Sequence, residues 1–121
     1  NKSIKDKFRW SLELDQRYFM IARCITMLYH YYEEDRKAGS WQGFPVDEIM
    51  QMVEEYNIHC LENASKKDYI NLLDEMVEMG ILGKPDENHD LYRLRRNSFV
   101  DIIGENFDVL EADIISNNEE A

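Results

Sequence analysis

The chain has 121 residues, 14 of them Lys or Arg and 25 Asp or Glu, giving a formal net charge of −11. That length supports one domain with its own hydrophobic core, and a content of 44% hydrophobic and 12% aromatic residues excludes a disordered chain. The charge weighs against nucleic-acid binding, which draws most of its affinity from Lys and Arg on phosphates, although acidity can also simply serve solubility.

The first residues, NKSIKDKFRW, are polar, lack an initiator Met and contain no apolar core of a signal peptide. A chain that starts this way is expected to be a fragment of a longer protein, with a linker at residues 1–7. Phe8, Trp10, Leu12 and Leu14 then alternate with Arg9, Ser11 and Glu13, and this period of two predicts a half-buried strand. Asp15 caps a long helix over residues 15–39, whose apolar face is Tyr18, Ile21, Ala22, Ile25, Leu28, Tyr29 and Tyr32. Gly39 is its stop. After a loop or short strand at residues 40–44, Pro45 opens a second helix with Val46, Ile49, Met50, Val53 and Tyr56 on one stripe. Asp47 and Glu48 in its first turn complement the helix dipole.

A third helix, SKKDYINLLDEMVEMG, follows the link NIHCLENA. Ser65 and Asp68 form a capping-box pair, Tyr69, Leu72, Leu73, Met76 and Val77 face inward, and Gly80 ends the helix. It runs directly into an apolar strand start at Ile81-Leu82, a polar turn (KPDENHD) and a second strand (LYRLR). A short helix, SFVDII, is stopped by Gly104, and the tail places Phe107, Leu110 and Ile114 at helical spacing. The expected fold is mainly α with a small β-hairpin: a winged helix-turn-helix with a three-helix core, a wing and C-terminal helices. Its domain spans residues 8–104, and residues 105–121 form an acidic amphipathic helix or tail whose last residues fray.

In most winged helices the third helix reads DNA. Here Lys67, Asn71, Asp74 and Glu78 lie opposite the apolar stripe, flanked by Glu75. Base readout uses Arg, Lys, Asn or Gln amid basic phosphate contacts, so these carboxylates have the wrong sign, and only Lys66 and Lys67 offset them. Asn71, Asp74, Glu75 and Glu78 are therefore expected to form a solvated or protein-contacting face. The one basic cluster is Arg93, Arg95 and Arg96. These residues contact phosphates, an acidic partner surface, or the domain's own carboxylates such as Asp90 and Asp101.

Nothing marks a catalytic or cofactor site. Cys24 and Cys60 make no CxxC, and no His and Cys have zinc-ligand spacing. A reduced, cytoplasmic setting is the default, with a Cys24–Cys60 disulfide as the alternative. His30, His59 and His89 are far apart, no nucleophile set is recognisable, and GSWQG is not a phosphate loop. The aromatic group Tyr29, Tyr31, Tyr32 and Trp41 is expected to divide between core and surface. No apolar run approaches the roughly 20 residues of a membrane span. No enzyme, metal, cofactor or membrane partner is expected.

Two stretches go beyond generic patterning: LELDQRYFMIA at residues 12–22 and LYRLRRNSFVDIIG at residues 91–104. Together they resemble the winged-helix domain at the C-terminal end of certain bacterial P-loop ATPases, which carry an AAA-like or STAND-like nucleotide-binding module upstream. The resemblance implies a regulatory or interaction module, with Tyr18, Tyr92, Leu94 and Phe99 at structural positions, Arg93 and Arg95 as the basic wing, and ATP bound elsewhere. The expected partner is protein, either the chain's own upstream domain or another subunit. DNA binding through the wing arginines is one alternative, and homodimerisation through the first helix or an exposed Phe107, Leu110 and Ile114 is another.

Overall fold

The structure, a computed structural model, describes residues 2–120. Seven helices and three short strands are present among them. They are α1 (Lys2–Glu13), α2 (Gln16–Tyr31), α3 (Glu33–Arg36), β1 (Phe44–Pro45), α4 (Val46–Glu55), α5 (Lys66–Glu78), β2 (Leu82–Gly83), β3 (Leu91–Leu94), α6 (Phe99–Ile103) and α7 (Phe107–Glu120). A 3-10 turn at His59–Leu61 joins α4 to α5. The strands form an antiparallel sheet in the order β1-β3-β2, with Phe44 opposite Tyr92 and Leu82 opposite Leu94. Helices α2, α4 and α5 followed by the β2–β3 wing make the winged helix-turn-helix.

Two elements differ from expectation. The strand predicted over residues 8–14 is the second half of α1, and residues 2–7, expected as a linker, are its first turns. The alternation of Phe8, Trp10, Leu12 and Leu14 masked a helical period. Phe8 and Leu12 are buried and Ile4 packs beside them one turn earlier, whereas Trp10 and Leu14 are 67% and 53% exposed. The Phe8 ring stacks on Phe99 of α6 at 3.6 Å between centroids.

The long helix predicted to Gly39 breaks at Tyr32. Continued, it would place Glu33, Glu34 and Asp35 at the negative end of its dipole. After the break the same residues form the first turn of α3, where the dipole favours them.

The start of α2 follows the sequence. Asp15 accepts the Arg17 N–H at 2.9 Å and pairs with the Arg17 guanidinium at 2.7 Å. The capping box of α5 also forms, with Ser65 and Asp68 each accepting the other's backbone N–H.

One core runs through the molecule, from Phe8 and Leu12 through Ile21, Ile25, Tyr29, Ile49, Leu73 and Tyr92 to Leu110 and Ile114. The homodimerisation alternative has the last two residues exposed for a partner. They are instead fully buried, and α7 packs along α2. The end of α6 also closes on α7: a Cβ on Gly104 would lie 2.6 Å from Leu110. Asn118 of α7 ties the helix to the link after α4, bonding the Tyr56 and Asn57 carbonyls and the His59 N–H. Cys24 and Cys60 are both free thiols, so the disulfide alternative is not realised. Among the described residues, no helix is long and apolar enough to cross a membrane.

Candidate functional site

The α5 face and the wing are tied together by a polar cluster. Asp74 is half-buried and accepts the Tyr92 hydroxyl at 2.6 Å and the Lys84 ammonium at 3.2 Å. Lys84 also reaches Asp90 at 3.1 Å and lies over the Tyr92 ring. Burial alone would lower the Lys84 pKa, but the bonds to Asp90 and Asp74 outweigh it and hold the pKa above its ordinary value. Burial, reinforced by the Asp74 bond, raises the Tyr92 phenol. At the next position, exposed Glu75 accepts the Tyr18 hydroxyl. Burial and that bond push the Tyr18 phenol up to about 12.

Two of the predicted face residues, Asp74 and Glu75, thus brace α5 against the wing and α2. Asn71, Glu78 and Lys67 point outward, exposed. Lys66 is held by Asp47 of α4 at 3.2 Å, which weakens the basic offset at the start of α5.

Among the described residues, the wing arginines make no ion pair with the domain's own carboxylates. Asp90 is taken by Lys84, and among the described residues no carboxylate lies within 4.0 Å of Arg93, Arg95 or Arg96. Arg93 and Arg95 instead meet Arg36, Trp41, Leu94 and Asn97 around a cleft of about 280 Å³. Arg96 is exposed beside it.

Local structure sets each wall of this cleft. The Arg36 Nε donates to the Tyr29 carbonyl at 2.9 Å, in the last turn of α2, and its guanidinium lies over the Tyr29 ring at 4.5 Å. A cation there also complements the helix dipole. Trp41 stands edge-on to Tyr29 and Phe44 at 5.4 and 5.1 Å. Gly43 lets β1 close on β3: its φ is +151°, and a Cβ there would lie 2.9 Å from the Tyr92 carbonyl oxygen. The Arg95 N–H bonds the Ile81 carbonyl at 3.1 Å, extending the ladder past Leu94.

Below the cleft, the Tyr29 hydroxyl accepts the Leu94 N–H at 3.0 Å. Burial raises the Tyr29 pKa, while that bond and the charges of Arg36 and Arg93 pull the other way.

Sequence reading found Arg93 and Arg95 but not their companions. Arg36 was not singled out, and Trp41 was one of several aromatics. The signal that joins them is the β1–β3 pairing, which no local pattern displays. Tyr31 is 70% exposed while Tyr29 is buried, so the aromatic group does divide between surface and core.

Each histidine has a local partner. The His30 Nε2–H donates to the Gly104 carbonyl, and His59 and His89 contact Glu62 and Asp86. Among the described residues, no group of three His, Cys, Asp or Glu could hold a metal ion. No protein-family model, curated protein or solved structure matches the chain.

Proposed function

We propose that this chain is a non-catalytic winged-helix module that contacts protein, as a regulatory domain within a larger protein of the P-loop ATPase kind. The observation that carries the reading is the charge of α5. A winged helix that reads DNA lays this helix in the major groove, amid phosphates. Glu78 stands outward on that face here, flanked by Asp74 and Glu75. Asp74 and Glu75 are anchored through Lys84, Tyr92 and Tyr18, so they cannot turn aside without breaking those bonds. Lys66 is engaged with Asp47, and the whole chain carries −11. An exposed mixed face of Asn71 and Glu78 beside an arginine-rich wing suits a protein surface better, because Arg is enriched at protein interfaces.

The test is a titration of the isotope-labelled chain with the nucleotide-binding portion of its parent protein. Amide shifts are expected along the outer face of α5 and the wing. Unchanged spectra at high micromolar concentration contradict the reading. A second reading, DNA binding through the wing, has one observation in its favour: Arg93, Arg95 and Arg96 lack carboxylate partners among the described residues. It predicts duplex affinity that falls steeply with salt.

A further inference from the structure

The cleft beside the wing has a composition that the charge of the chain does not explain. Three arginines from separate segments, α3, β3 and the turn after β3, converge with Asn97 on one opening. In a chain with 25 acidic residues, none of the three lies within 4.0 Å of a carboxylate among the described residues. Like charges repel, so this grouping costs free energy unless an anion completes it.

The arrangement is also organised before any ligand arrives. Arg36 is oriented by its bond to the Tyr29 carbonyl and by the ring beneath it, and Trp41 is wedged against Tyr29 and Phe44. The backbones of Arg93 and Arg95 are held on the β2 side of the sheet, through Gly83 and the Ile81 carbonyl.

We propose that this cleft is a carboxylate-binding site that receives an acidic side chain from a peptide segment of a partner protein. Guanidinium groups match a carboxylate with paired, parallel hydrogen bonds. Trp41 gives the aliphatic stem of a Glu or Asp an apolar wall, and Asn97 offers a further amide donor. The cleft of about 280 Å³ suits one or two side chains rather than the backbone of a duplex. Its lining contains Arg and Trp but no Lys, and Arg and Trp are the residues enriched in the energetic centres of protein interfaces, where Lys is depleted. A duplex would extend beyond the cleft onto the acidic α5 side of the wing, whereas a single carboxylate need not. Screening limits the reach of the remaining negative charge to about 8 Å at physiological salt, so the local arginines dominate inside the cleft.

This inference rests on the protein-contact reading and adds the partner's chemistry to it. Its test uses the full chain carrying Trp10→Phe, which leaves Trp41 as its one tryptophan, and a hexaglutamate peptide as probe. Trp10 is largely exposed, so the change leaves the fold intact. Saturable change in Trp41 emission is expected, with affinity reduced about tenfold or more by Arg95→Glu, as for loss of a well-placed interfacial charge. Arg95 is exposed and its side chain holds no other residue in place, so this variant folds. Arg93→Gln is the second variant and is expected to weaken binding in the same direction.

No change in Trp41 emission at millimolar peptide overturns the site. If the parent protein still shifts α5 amides in that case, only the cleft assignment fails. If a mixed-sequence duplex displaces the peptide and binds more tightly through Arg93 and Arg95, the cleft is a phosphate site and both readings fail.

Discussion

Tyr29 and Tyr92 show how two buried tyrosines of similar packing hold the wing by different means. The Tyr29 hydroxyl satisfies the buried Leu94 N–H. Tyr29→Phe strands that donor and is expected to cost about 1–3 kcal/mol. The Tyr92 hydroxyl donates to Asp74, which keeps Lys84 as a second partner. Tyr92→Phe should therefore cost less, about 0.5–1.5 kcal/mol. Urea denaturation of both variants checks the order, and a larger loss for Tyr92→Phe contradicts it. The burial of Tyr29 was legible from its place on the apolar stripe of α2. Its hydroxyl's partner was not, because Leu94 lies 65 residues further along and on an element whose register is set only by folding.

The caps add a pH dependence at the same scale. The Arg17 side chain beside Asp15 holds that carboxyl below its ordinary pKa, and the Ser65 N–H does the same for Asp68. A group depressed in the folded state stabilises the fold above its unfolded pKa, and this contribution is lost as pH falls through the folded value. Stability should therefore decline below about pH 4. Asp15→Asn keeps a capping oxygen but removes one titrating group, so the decline should be shallower. An unchanged slope in urea titrations across that range rules out a role for Asp15.

At the scale of elements, the helix–hairpin unit was readable because each signal in it is local. The capping box at Ser65, the apolar stripe through Leu72 and Leu73, Gly80 and the LYRLR strand all lie within one stretch. Helix α1 was not readable in the same way. Phe8, Trp10, Leu12 and Leu14 satisfy the strand period, and only docking against Phe99 and α2 selects the helical one.

The two alternatives predict different mutational patterns. On a strand, Phe8 and Trp10 would share the buried face. On α1, Phe8→Ala should cost about 3–5 kcal/mol, while Trp10→Ala should stay within about 0.5 kcal/mol. Equal losses in thermal or urea unfolding contradict the helix. Tail helix α7 illustrates the same limit: the spacing of Leu110 and Ile114 marked an apolar face, but not that α2 would cover it.

Across the whole molecule, the distribution of charge is the basis for proposing protein rather than DNA as the partner. Carboxylates occupy the helix that would enter the groove. Asp74 and Glu75 also serve the fold, through Tyr92, Lys84 and Tyr18, while arginines without a carboxylate partner among the described residues gather around Trp41 at the wing. The acidic sign of α5 was plain in the sequence. The anchoring of its carboxylates and the recruitment of Arg36 were not, since both depend on how α3, β1 and the wing meet.

The most direct measurement is fluorescence anisotropy of a labelled mixed-sequence duplex titrated with the chain at low salt, where phosphate contacts are strongest. The protein-contact account predicts a flat curve to high micromolar protein. Saturable binding that weakens steeply with added salt and disappears in Arg95→Glu would contradict it and return the wing to nucleic acid.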